Sequence, residues 1–168
     1  LIESFGVETH SMALELGINA IAPLIRFLRQ SRFGCREVQD MLAFWDDRIG
    51  FDIYGDLLGI GCNDGFSGRL TLNFGTLDFN GSEAVVRLDL RFPVTCDFTA
   101  TAAKLKKIFE ENAFRETEHT AWNPVYFPKD HFLIESLLKV YRKVTKDKGE
   151  PIVSGSGSYS KVIPNIAA

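Results

Sequence analysis

Three histidines, His10, His119 and His131, are the only imidazoles in 168 residues, and their placement limits the chemistry open to the chain. A metal centre needs three or four ligands from His, Cys, Asp or Glu converging on one point. His131 and Glu135 form a single H-x-x-x-E pair, His119 lies in a charged stretch and His10 stands alone. With no H-x-D and no H-E-x-x-H, the chain by itself is expected to bind no metal. The stretch GSGSYSK, residues 155–161, invites comparison with phosphate loops, but it lacks the second glycine of a Walker loop, and Ser160 stands where a dinucleotide fingerprint ends in glycine. Its backbone amides could face a ligand or simply make a turn. The cysteines have no activating context and no G-x-S-x-G elbow is present, so nucleophilic catalysis is not indicated.

Two side chains remain. In VVRLDLRFP, the apolar Val86, Leu88, Leu90 and Phe92 claim one strand face and put Arg87, Asp89 and Arg91 together on the other. That face is either plainly solvated or carries a guanidinium able to hold a carboxylate by two parallel hydrogen bonds. His10, just ahead of an apolar run, either meets a backbone carbonyl or reaches a ligand.

The elements that must position these residues follow from periodicity. Helical spacing runs over 17–30 through Ile18, Ile21, Leu24, Ile25 and Leu28, with Pro23 near the start, and again over 36–49 through Val38, Met41, Leu42 and Trp45. The period then becomes two: Leu70, Leu72 and Phe74, then Val86 to Phe92, joined through Asn80-Gly81, predict an antiparallel hairpin. A third helix is expected over 100–112 with Thr99 as cap, a strand over 115–122, and a fourth helix over 131–148, capped by Asp130, with the stripe Leu133, Leu137, Val140, Tyr141 and Val144. A short apolar strand then runs into the glycine-serine loop. The class is α+β, an antiparallel sheet with helices packed on one face.

Composition narrows the partners. At 45% hydrophobic residues the chain can bury a core, and a net charge of -3 with interleaved signs offers nothing to a phosphate backbone, so nucleic acid is not expected. No apolar run approaches a membrane span, and no membrane partner is expected. Cys35, Cys62 and Cys96 are odd in number and widely spaced, which indicates neither a disulfide framework nor a zinc knuckle and fits a reducing cytoplasm. The start at Leu1 and the apolar end at PNIAA suggest an excised piece.

Four stretches together carry a resemblance. GVETHSMALELGINA is similar to the G-x-x-x-H-S-M-x-P-x-x-G-x-N-A motif in the lid domain of two-metal zinc exopeptidases, the group of Xaa-His dipeptidases, carnosinases and related deacylases. SGRLTLNFGTLDF and VRLDLRFPVT resemble the lid strands that follow, and SGSGSYSKVIPN resembles the glycine loop beyond the lid. Order and spacing agree over nearly the whole chain, closest to PepV-type bacterial dipeptidases. Leu14, Ser156 and Ser158 replace the family's proline, glycine and threonine.

The resemblance implies a lid over 1–128, with 129–168 beginning the returning catalytic segment. It implies that His10 donates to the oxygen of the tetrahedral intermediate, that Arg91 binds the dipeptide carboxylate, and that Gly157, Ser158 and Tyr159 lie near the same substrate. Gly17 and Asn19 would shape the turn and the helix start. Zinc would belong to the parent enzyme, its ligands outside this chain; the isolated chain is expected to be inactive. Its partners would be a small peptide and the rest of the catalytic domain, with self-association left open. A non-catalytic α+β ligand-binding or dimerisation module remains the alternative.

Overall fold

The Asn80 side chain accepts from the amides of Ser82 and Glu83, which turns the chain back on itself and pairs β1 (Thr71–Phe79) with β2 (Ala84–Arg91) antiparallel. This two-stranded sheet is the centre of the computed structural model, which describes residues 1–157. Three helices contribute residues to the core beside it, α1 (Ile21–Arg29), α2 (Arg36–Arg48) and α3 (Phe98–Glu111), whereas α4 (Phe132–Thr145) buries none of its residues. The fold is α+β, as the sequence predicts.

Strand alternation sorts the two faces. Leu72 and Phe74 turn inward opposite Leu90 and Leu88, against Ile25 of α1, Leu42, Phe44 and Trp45 of α2, and Leu105 of α3. Trp45 lies between Phe74 and Phe114, with ring centroids 5.2 Å and 4.8 Å away. The opposite face carries Thr71, Asn73, Asp89 and Arg91, and it is this polar face that meets the His10 segment.

Arg26 and Arg29 on α1 bond Asp46 at 3.0 Å and 2.9 Å, and Arg29 also reaches Asp47, which fixes α1 against α2. Desolvation pushes the Asp46 carboxyl up, but the hydrogen bonds from Arg29 and Arg26 outweigh it and hold the group below the ordinary value.

Several local expectations change. Residues 115–122 form no strand: their alternation of charged and small side chains offers no apolar face to bury, and they lie exposed. Residues 151–153 likewise form no strand, with Ile152 exposed. Asp97, not Thr99, caps α3 by accepting from Ala100 N at 2.9 Å, and His131, not Asp130, caps α4 by accepting from Leu133 N at 3.3 Å. The larger correction concerns cysteine. Cys62 and Cys96 form a disulfide across 34 residues of sequence, their Cα atoms 6.3 Å apart. The chain before β1 folds back, with Leu70 N donating to Cys62 O, and this carries Cys62 to the residues that leave β2. The bridge removes the ground on which a reducing compartment was expected. Among the described residues no helix is long and apolar enough to cross a membrane.

Candidate functional site

His10 lies in a tight excursion closed by a two-way bridge, Val7 N to Ile18 O at 2.9 Å and Ile18 N to Val7 O at 3.0 Å. Gly17 has no side chain because Thr9 packs where a Cβ would stand, with Val7 O only 2.9 Å from that point. Asn19 ends the excursion and starts α1: its Oδ1 accepts from Ile21 N at 2.8 Å, and its Nδ2 donates to Phe74 O of β1 at 2.8 Å. Pro23 falls in the first turn of α1, where the missing N–H leaves no bond unmade.

Inside the excursion, Ala13 N donates to His10 O at 2.8 Å and Met12 N donates to His10 Nδ1 at 3.2 Å. The imidazole is exposed. It is therefore not a core histidine meeting a carbonyl. Because Nδ1 accepts from an amide, the neutral ring carries its proton on Nε2, which makes that atom a donor directed away from the turn's own backbone.

The neighbouring residue does the opposite. Ser11 is buried, at 8% exposure, between exposed His10 and Met12. Thr71 Oγ1 donates to Ser11 O at 2.8 Å, and Arg91 Nε donates to Ser11 Oγ at 3.1 Å. Thr71 and Arg91 face each other in the hairpin register, so one rung of the sheet holds one residue of the turn from two sides. Arg91 Nη2 further donates to Asp89 Oδ2 at 2.7 Å. The third stretch arrives at Met12: Ser156 Oγ lies 3.0 Å from Met12 Sδ, and a Cβ on Gly155 would come within 2.8 Å of Met12 Cβ.

The structure thus gathers the His10 turn, Arg91 and the start of the glycine-serine loop around residues 10–12. Gly157 is exposed beside this loop, while Ser158 and Tyr159 lie outside the described residues. Ser11 and Thr71 are contributors that the residue pattern did not single out, whereas Asp89 stands beside Arg91, on the face to which the strand alternation assigned both. The Asn80-Gly81 turn alone would set Leu72 opposite Arg91; an irregularity between Phe74 and Thr76 shifts the pairing by one residue and brings Thr71 there, so the turn signal was not enough to find it. Among the described residues no three His, Cys, Asp or Glu side chains stand close enough to hold a metal. His131 is occupied as a helix cap and His119 pairs with Glu116 at 2.6 Å.

Comparison with known proteins finds relatives along nearly the whole chain. A Bacillus subtilis (strain 168) protein provisionally named as a dipeptidase, YtjP, is 32% identical over 166 residues, covering 96% of this chain and 34% of its own length. The chain is similar to one third of a dipeptidase. The Beta-Ala-Xaa dipeptidase of Lactobacillus delbrueckii subsp. lactis is 28% identical over 167 residues, which cover 94% of this chain and 33% of that dipeptidase. A Staphylococcus epidermidis protein, also provisionally named as a dipeptidase, is 24% identical over 157 residues, 93% of this chain and 33% of its own length. The chain thus spans about a third of the length of these dipeptidase relatives. No protein-family model matches it.

Proposed function

We propose that this chain is the lid, the substrate-facing third, of a zinc-dependent dipeptidase that hydrolyses short peptides. Two findings support the reading: similarity to dipeptidases along nearly the whole chain, and the juxtaposition of His10, Arg91 and the Gly155–Ser156 loop through Ser11 and Met12. The observation that carries it is the Arg91–Ser11 bond, which ties a carboxylate-binding side chain to the residue beside an outward imidazole donor.

Hydrolysis of a peptide bond places negative charge on the former carbonyl oxygen. A donor aimed at that oxygen lowers the barrier more than it tightens ground-state binding. His10 Nε2–H is such a donor, and Arg91 would fix the carboxylate end of the dipeptide. Among the described residues no His, Cys, Asp and Glu side chains converge to fit a zinc centre. In this reading the metal and the activation of water belong to the rest of the parent, and this chain supplies orientation and charge. Residues 1–128 would form the lid, and 129–168 would begin the segment returning to that catalytic part. The apolar stripe of α4 would be what the catalytic part covers: Leu137, Val140 and Val144 are each more than half exposed.

The test is Arg91→Ala in the full-length parent. Substrates with a free C-terminal carboxylate are expected to lose on the order of 2 to 4 kcal/mol of transition-state binding, and the matching amides much less. Equal losses would return Arg91 to a structural role.

A further inference from the structure

We propose that Ser11 is a positioning residue that couples the His10 turn to the Arg91 guanidinium, so that oxyanion donor and carboxylate binder move as one unit. The proposal rests on the reading above and adds to it the residue that sets the relation between its two ends.

Among the described residues Ser11 is one of the few buried polar side chains, and it sits between the exposed His10 and Met12. Burial of a hydroxyl and a carbonyl is tolerated only when both are satisfied, and here both partners come from one rung of the hairpin, Thr71 and Arg91. Loss of either partner strands a buried polar atom, which gives the turn a reason to hold one position. The bonds also orient the guanidinium. Nε is committed to Ser11 and Nη2 to Asp89, so a substrate carboxylate meets the Nη1 end, with the guanidinium plane already fixed. Without the Ser11 hydroxyl, Nε–H loses its acceptor, and Asp89 alone does not define that plane.

Two measurements on the full-length protein separate this coupling from the wider functional reading. The first is backbone hydrogen exchange. Arg91→Ala is expected to raise exchange at Met12 and Ala13 several-fold, as Ser11→Ala does, while the interiors of α1 and α2 stay protected. If Arg91→Ala leaves the turn unchanged, the coupling is refuted whatever the kinetics show. The second is a kinetic cycle. Ser11→Ala is expected to raise KM for dipeptides with a free carboxylate about ten-fold, to change KM for the amides little, and to add nothing in an Arg91→Ala background. Ser11→Cys fills the same space with a poor acceptor and is expected to match Ser11→Ala; wild-type kinetics from it would mean that a cavity, not a lost bond, explained the alanine variant, and would overturn the proposal. If exchange shows coupling while Arg91→Ala harms carboxylates and amides alike, the coupling stands and the carboxylate role of Arg91 falls.

Discussion

Removal of the His10 imidazole should separate chemistry from stability. The ring is exposed and makes one hydrogen bond, to the amide of Met12, so His10→Ala is expected to leave thermal unfolding of the parent nearly unchanged. If Nε2–H serves the oxyanion, kcat should fall about 10²- to 10³-fold with a smaller change in KM. A variant that unfolds early but keeps normal specific activity would assign His10 to the fold. At this scale the sequence was only half legible. The alternation around Arg91 showed which face it takes, but neither periodicity nor residue type could show that Ser11 would be buried against it, because that contact joins residues 80 apart. Ser11 reads as an ordinary turn serine until the hairpin register is known. The choice between a core and an outward His10 was likewise undecided until the Met12 amide was seen to take Nδ1.

The elements that were legible are those whose own residues state a period. The apolar stripes of α1 and α2 and the Asn80-Gly81 turn are local signals, and the structure follows them to within a few residues. Residues 115–122 mimic a strand in alternation alone; without an apolar face nothing drives them to pair. The caps of α3 and α4 each shifted by a residue or two, because several polar side chains precede each helix and only backbone geometry selects among them. The cystine was illegible for another reason: it depends on where the chain before β1 folds back. It clamps the end of the hairpin that carries Thr71 and Arg91. Closing 34 residues restricts the unfolded chain by about 3 to 4 kcal/mol, so Cys62→Ser with Cys96→Ser should lower Tm by several degrees. An unchanged Tm in the double variant would show that the bridge does not contribute.

Over the whole molecule, acid should act through carboxylates held ionised by the fold. Desolvation raises the Asp64 carboxyl, but hydrogen bonds from the Ser67 hydroxyl and the amides of Ser67 and Phe66 overcome it and lower the group from 3.8 to about 2. Asp46 is shifted the same way by its arginines. A carboxyl depressed in the folded state contributes stability that is complete above its unfolded value and is lost as pH falls through its folded value. Tm should therefore hold above about pH 4 and drop toward pH 2, with Asp64→Asn flattening that drop. A profile identical in the variant would rule Asp64 out as a source. The same cystine also gives the molecule a built-in counter. Of three cysteines, two are joined and Cys35 is exposed at the start of α2, within 3.0 Å of Glu37. A maleimide dye added to the native chain should attach once, and after mild reduction three times. Label stoichiometry by intact mass then reports, chain by chain, whether the clamp beneath Arg91 is closed, and the single dye at Cys35 marks the α1–α2 connection without touching the residues assigned to the substrate.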